Sequence, residues 1–186
     1  MVAAARFRGR ERARLTCAAV AETPQRPILA VDVDGVISLF GFEQGLDQPP
    51  GELKLIDGML HCISLAAGER LRRLAKHYDL VWATGWEERA NDHLPSLLGL
   101  PEGMPYLTFD GRVAFGSAHW KVDALDEYGG DRPLAWVDDN IDETCRSWAA
   151  ARSAPTLLVP TESDRGLEEA HVEALCDWVR RGFDPR

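Results

Sequence analysis

Short apolar runs alternate along the chain with segments in which apolar residues recur every three or four positions. The runs are typical of buried strands, and the recurrences are typical of amphipathic helices. The predicted strands span residues 28–33, 80–84, 106–109, 134–137 and 156–159, and the predicted helices span residues 67–77, 87–98, 120–128, 142–150 and 167–181. This alternation predicts one α/β domain over residues 27–186, built on a doubly wound, parallel, five-stranded sheet.

Two segments interrupt the alternation. Asp110-Gly111 lies between apolar runs and favours a tight hairpin, so residues 113–115 are expected to return antiparallel. Residues 38–59 are rich in glycine and proline, and they predict a long mobile flap.

Composition narrows the class of protein. The chain has 186 residues, of which 45% are hydrophobic, and no apolar run approaches the roughly 20 residues that cross a bilayer. The sequence therefore argues against a membrane protein. The four cysteines show no CxxC spacing, which disfavours a zinc site or a disulfide framework and indicates the cytoplasm.

The first 26 residues differ in charge from the rest, because they hold six arginines and only two acidic residues. We expect a disordered or frayed extension there, and the alternative is a basic arm that touches nucleic acid or an acidic partner. The whole chain carries a net charge of −9, so the domain that follows the extension is acidic. An acidic domain argues against tight, nonspecific binding of nucleic acid.

Polar residues stand where the predicted strands end and where one helix begins. Their positions in chain order are Asp32 and Asp34 with Gly35, Thr84 with Gly85, Lys121, and the pair Asp138-Asp139. Because the carboxyl ends of parallel strands meet at one edge of a sheet, we expect these side chains to lie close together at a ligand site.

These residue types are suited to phosphoryl transfer. Asp32 can act as the nucleophile that takes the phosphoryl group as an aspartyl phosphate. Asp34 points to the same side of an extended segment, and it can give a proton to the leaving oxygen and later take one from water. Thr84 and Lys121 can hold the phosphoryl oxygens, over which the charge of the transition state is spread.

The same carboxylates predict a metal. Crowded at one sheet edge, they repel one another unless a cation lies between them, and a hard cation that prefers oxygen ligands is expected. Mg²⁺ is the predicted cofactor. Its predicted ligands are the carboxylate of Asp32, the main-chain carbonyl of Asp34, and Asp139 with Asp138 nearby.

With this set assembled, the chain resembles the haloacid dehalogenase superfamily over residues 27 to about 180. The motifs of that superfamily run in the same order: Asp32-Val33-Asp34, then Thr84, then Lys121, then Asp138-Asp139. The resemblance implies a sheet of order 5-4-1-2-3 and a Mg²⁺-dependent phosphatase. The segments between the motifs are too short for the cap domain that many members carry, so we expect a flap with minimal or no cap.

A narrower resemblance rests on the residues around the motifs. Val81-Trp82-Ala83-Thr84-Gly85-Trp86, His119-Trp120-Lys121 and Ala135-Trp136-Val137-Asp138-Asp139 look like the phosphatase-type domain of bacterial RNA repair proteins called Swiss Army Knife proteins. This resemblance implies RNA ends as possible substrates. A small phosphate ester stays open as the substrate, and the alternative function is a weakly active or inactive phosphate-binding module in a nucleic-acid repair system.

Motif order and residue type argue against two other classes. A receiver domain places its acidic pair first, whereas Asp138-Asp139 comes last here, and a dehalogenase has no need of an acid at Asp34.

Four residues next to the motifs have two interpretations each. Trp86 and Trp120 could stack a nucleobase or pack in the core, and Glu87 and Asn91 could steady the flap or cap local backbone.

Overall fold

Four parallel strands form the centre of the structure, a computed structural model that describes residues 25–43, 47–109, 111 and 116–184. They are β1 (Ile28–Val31), β5 (Asp79–Trp82), β6 (Leu134–Asp138) and β7 (Thr156–Pro160), in the order β5-β1-β6-β7. Each of the four was predicted, with one or both of its ends shifted by one or two residues. In the register of the sheet, Val31 lies between Trp82 and Val137, which brings the ends of three strands together.

The fifth predicted strand, at residues 106–109, is not formed as a strand. Tyr106 makes a single parallel bridge to Trp82, beside β5. The ladder does not continue because the N–H of Phe109 donates to the side chain of Glu87, at 2.8 Å, instead of to a neighbouring strand. Most of the hairpin predicted just beyond, at residues 110 and 112–115, lies outside the described residues.

Helices cover both faces of the parallel sheet. They are α1 (Leu65–Leu74), α2 (Arg89–Leu98), α3 (Val122–Gly129), α4 (Glu143–Ala151) and α5 (Glu169–Arg180), with a 3-10 turn at His119–Lys121 directly before α3. Alternate residues of β1 belong to two separate cores: Leu29 packs with α1, α2 and α5, and Ala30 packs with α3 and α4. The sheet is therefore wound on both sides. None of the helices in the described ranges is long and apolar enough to cross a membrane.

A second, three-stranded antiparallel sheet occupies the region predicted as a flap. Its strands are β2 (Ser38–Leu39), β3 (Glu52–Ile56) and β4 (Met59–Ile63), in the order β2-β4-β3. Sequence analysis missed these strands. The turn between β3 and β4 is Asp57-Gly58, and both residues have positive φ angles of 50° and 81°, as a tight hairpin turn requires. We call β3, β4 and this turn the hairpin.

The predicted N-terminal extension lies almost wholly outside the described residues, which begin at residue 25. Arg26, assigned to the extension from sequence, is in contact with the domain. Its guanidinium donates hydrogen bonds to the main-chain carbonyls of Ala75 and Tyr78, just beyond α1.

Candidate active site

The polar residues predicted to meet at the sheet edge come from three neighbouring strands and one turn. Asp32 directly follows β1, Asp138 is the last residue of β6, and Thr84 lies two residues beyond β5. Lys121 closes the 3-10 turn before α3. Because Asp32 N–H donates to the carbonyl of Val137 at 3.0 Å, the sheet register itself places Asp32 beside Asp138.

Lys121 bridges two of the aspartates. Its Nζ lies 2.7 Å from Oδ2 of Asp32 and 2.6 Å from Oδ2 of Asp138, and all three side chains are buried. Burial alone would lower the pKa of Lys121, but the charges and hydrogen bonds of both carboxylates outweigh burial and raise it. Lys121 is therefore held as an ammonium ion inside the protein.

Backbone donors hold the other oxygens of the same two carboxylates. Asp32 Oδ1 accepts from the N–H of Val33 at 2.7 Å, and Asp138 Oδ1 accepts from the N–H of Asn140 at 2.9 Å. Burial raises the pKa of Asp32, although attraction to Lys121 opposes that rise. The orientation of both carboxylates is thus fixed before any ligand arrives.

Asp139 completes a group of oxygen ligands. One carboxylate oxygen from each of Asp32, Asp138 and Asp139 lies within 4.8 Å of the others. Ser163 Oγ donates to Asp139 Oδ2 at 2.8 Å, and burial raises the pKa of Asp139. When all three carboxylates are ionised they outnumber the one ammonium, and that excess of negative charge suits a divalent cation with oxygen ligands.

Asp34 stands apart from this group, since its side chain is not one of the three clustered carboxylates. Oδ2 of Asp34 accepts a hydrogen bond from the indole Nε1 of Trp86 at 2.9 Å. The prediction that the Asp34 carbonyl binds the metal stays a prediction. What the structure adds is a side-chain partner for one oxygen of Asp34.

Two residues near Asp34 were missed by sequence analysis. The ring of His61, on β4, packs edge-on against Trp86, with ring centroids 4.8 Å apart. Nδ1 of His61 shares a hydrogen bond of 2.9 Å with Oγ of Ser38 on β2. No sequence spacing indicates this contact, because it depends on the pairing of β2 with β4, and both strands were unpredicted.

Thr84 is at the predicted edge, with only 1% of its surface exposed. Its hydroxyl accepts from the N–H of Trp86 at 3.3 Å, so Thr84 shapes the turn that carries Trp86. Gly85 rather than Thr84 lines the cavity described below.

The local chain around Asp34 requires a glycine. Gly35 has φ of 71°, and its carbonyl accepts from the hydroxyl of Thr161 at 2.9 Å. The N–H groups of Ile37 and Ser38 both donate to the carbonyl of Val33, which closes a tight loop just after the first two aspartates. Asp139 lies against Gly35, so the conformation of this loop positions Asp34 relative to Asp139.

The remaining motif neighbours have structural contacts. Asn91 accepts from Nε1 of Trp82 at 3.1 Å and donates to the carbonyl of Met104 at 2.8 Å, so it supports local backbone. Trp120 packs edge-on against Phe109 at 4.5 Å, beside Lys121. Both Trp120 and Trp86 are half-buried, pack against other rings and line the cavity, and the stacking of a nucleobase on them stays a prediction.

The residues of the candidate site and of the hairpin line a cavity of about 720 Å³. Its buried lining residues include Asp32, Lys121 and Asp138, which we call the floor, and its exposed ones include Phe40, Met59 and Leu60, which we call the mouth. The volume lies within the range of small-molecule sites, which span roughly 300 to 1,000 Å³.

No protein-family model matches this chain, and a search of curated proteins returns no match.

Proposed function

We propose that this chain is a Mg²⁺-dependent phosphatase that hydrolyses a phosphomonoester through an aspartyl phosphate on Asp32. The observation that carries the proposal is the buried Lys121 ammonium, 2.7 Å from Asp32 and 2.6 Å from Asp138, with Asp139 completing three close oxygen ligands. A site that binds both a phosphate group and a metal cation needs this combination of a fixed positive charge and clustered carboxylates.

In the first step, an oxygen of Asp32 attacks the phosphorus atom, and the bond between phosphorus and the ester oxygen breaks. Asp34 gives its proton to that oxygen, so the alcohol leaves neutral. In the second step, the oxygen of a water molecule attacks the same phosphorus, and the bond to Asp32 breaks. The water proton passes to Asp34, inorganic phosphate leaves, and the enzyme returns to its starting state.

The other site residues hold charge during both steps. Asp32, Asp138 and Asp139 would hold Mg²⁺, together with the carbonyl of Asp34, and the cation would neutralise the phosphoryl oxygens. Lys121 is already placed beside Asp32, where it can bind a phosphoryl oxygen as the charge moves. Trp86 orients Asp34 through its hydrogen bond at 2.9 Å.

The proposed family is the haloacid dehalogenase superfamily. Read from the opposite edge, the observed order β7-β6-β1-β5 corresponds to strands 5-4-1-2 of the superfamily arrangement 5-4-1-2-3. The bridge at Tyr106, next to β5, lies where the remaining strand would be. The proposed compartment is the cytoplasm, because Cys62, Cys145 and Cys176 are free thiols.

The test is hydrolysis of p-nitrophenyl phosphate by the purified protein, with Mg²⁺ and with EDTA. We expect release of phosphate only with Mg²⁺, and a loss of at least about a hundredfold in kcat for Asp32→Asn. Asp92→Asn, an exposed change on α2, is the matched control and should keep the rate. An Asp32→Asn variant that keeps the rate would refute the mechanism, and a folded wild type that binds phosphate without turnover would favour the alternative binding module.

A further inference from the structure

We infer that the hairpin forms a subsite for the alcohol part of the substrate, and that the substrate is a small phosphomonoester with an aromatic or other apolar alcohol. The inference rests on the proposed phosphatase function and deepens it by naming the substrate class. Its basis is the contrast between a charged cavity floor and an apolar cavity mouth.

Large apolar side chains are exposed at the mouth. Phe40 is 49% exposed, Leu60 51% and Met59 64%, and all three line the cavity that reaches the aspartates. Ile56, which also lines the cavity, is buried. Exposed apolar side chains that line one cavity together with polar groups are typical of a ligand-binding surface.

Strand register places three of the lining residues of the hairpin on one side. Ile56 pairs with Met59, and Lys54 pairs with His61. Paired residues of an antiparallel ladder project to the same side, and residues two apart on one strand do so too, so Ile56, Met59 and His61 share a side. All three line the cavity. Leu60 and Leu55 are paired on the other side, where Leu60 still lines the cavity and Leu55, the more exposed of the two, does not.

The charges at the mouth disfavour a nucleic-acid end. Among the described lining residues, the lysines and arginines are Lys121 and Arg89. Lys121 is held by two aspartates on the floor, and Arg89 makes an ion pair with Asp57 on the hairpin turn. A nucleic acid brings further phosphates next to its terminal one, and these need cations to bind. An apolar alcohol needs none.

The experiment compares two primary alkyl esters, 2-phenylethyl phosphate and glycerol 3-phosphate, which differ mainly in the polarity of the alcohol. Short oligoribonucleotides with a 5′- or a 3′-phosphate are assayed beside them, with Mg²⁺ at one fixed ionic strength. We expect kcat/KM for 2-phenylethyl phosphate to exceed that for glycerol 3-phosphate by about tenfold or more, because one phenyl group leaves water. The oligonucleotides should be the poorest substrates.

Three single variants locate the effect. Met59→Ser and Phe40→Ser should each reduce the ratio of the two kcat/KM values by about threefold or more, since each removes part of the apolar mouth. Leu55→Ser is the matched control, a serine on the same hairpin outside the cavity, and it should leave the ratio unchanged. All three positions are exposed, so the variants are expected to fold.

The outcomes separate this inference from the proposed function. Hydrolysis of both alkyl esters with a ratio near one, or a preference for either oligonucleotide, would overturn the apolar subsite and leave the phosphatase intact. Equal reduction of the ratio by Leu55→Ser and Met59→Ser would also overturn it. Absence of Mg²⁺-dependent hydrolysis for every ester would overturn the phosphatase, and the subsite with it.

Discussion

Gly35 lies so close to Asp139 that a Cβ atom placed on Gly35 would overlap Oδ2 of that carboxylate. The close approach joins the loop after β1 to the end of β6, and it brings Asp139 next to the other two clustered carboxylates. Gly35 also has φ of 71°, which side chains other than glycine rarely adopt. Glycine is thus required at this position for two independent reasons.

Gly35→Ala should therefore lose metal affinity as well as stability. We expect the free energy of unfolding to fall by about 1–3 kcal/mol and the Mg²⁺ dissociation constant to rise at least about tenfold, as Asp139 turns away. Urea unfolding and calorimetric titration with Mg²⁺ measure the two effects. Gly103→Ala is the control, because Gly103 has φ of 66° with open space around it, and it should lose stability only. Unchanged Mg²⁺ affinity in Gly35→Ala would contradict this account.

Trp86→Phe removes the N–H that donates to Asp34 at 2.9 Å and keeps an aromatic ring. If this bond orients the proton donor, kcat/KM should fall about tenfold for an alkyl phosphate, whose leaving oxygen needs a proton. The decrease should be smaller for p-nitrophenyl phosphate, whose leaving group departs as a stable anion.

The control for Trp86→Phe is Trp148→Phe, since Nε1 of Trp148 donates to Asp126 at 3.2 Å away from the site. It should change both rates equally or not at all. A purely structural effect of Trp86→Phe would lower the two kcat/KM values by the same factor, and that result would exclude the orienting role.

Asp57 ties the hairpin turn to α2. Its carboxylate accepts from Arg89 and lies 3.5 Å from Nε2 of His93, and the hydrogen bond from Arg89 lowers the pKa of Asp57. Asp57→Asn keeps a residue that tolerates positive φ but removes the charge. We expect faster amide hydrogen exchange across residues 52–63, and wild-type protein at high salt should approach the same rate because salt screens exposed pairs.

Mass spectrometry of peptides from residues 52–63 measures this exchange. Asp92→Asn changes the charge of α2 by the same amount at an exposed position, and it should leave hairpin exchange as in the wild type. Equal exchange in Asp57→Asn and the wild type would mean that strand pairing alone holds the hairpin over the cavity.

His171 makes the start of α5 sensitive to pH. Its Nδ1 accepts from the N–H of Glu168 at 3.0 Å, which requires an unprotonated nitrogen, and burial lowers the pKa of His171 although Glu168 opposes that shift. Above the ordinary histidine value of about 6.5, the bond contributes fully to stability. As pH falls below that value toward the folded-state pKa, the unfolded chain binds more protons than the folded protein, so stability decreases.

Urea midpoints at pH 8 and pH 5 check this expectation. His171→Gln supplies a neutral acceptor at the same position of the helix, so the decrease in stability between the two pH values should be smaller in this variant. His77→Gln, at an exposed position just after α1, should keep the wild-type decrease. An identical decrease in all three proteins would rule out His171 as its source.

The sequence was sufficient to predict where charged residues converge. Asp32, Lys121 and Asp138 follow or precede elements with strong apolar patterns, and parallel strands bring such ends to one edge whatever the loops do. The fifth predicted strand does not form because the N–H of Phe109 donates to the side chain of Glu87, a residue 22 positions away. Glu87 has a positive φ of 49°, which no sequence pattern indicates.

The hairpin was missed for a different reason. The glycines and prolines of residues 38–59 predict a flap, and Gly58 counts among them instead of marking the Asp57-Gly58 turn between β3 and β4. His61 and Ser38 could not be predicted as neighbours, because their contact depends on strand pairing between β2 and β4 that propensity does not encode.

Ser38 and Ile63, where the small sheet begins and ends, are paired directly across β2 and β4. The chain thus leaves the loop after β1 and enters α1 at adjacent points. Asp32 and Asp138 are spaced by the register of β1 and β6, to which the small sheet contributes no strand. The separation of these two carboxylates is therefore set independently of the hairpin residues that line the same cavity.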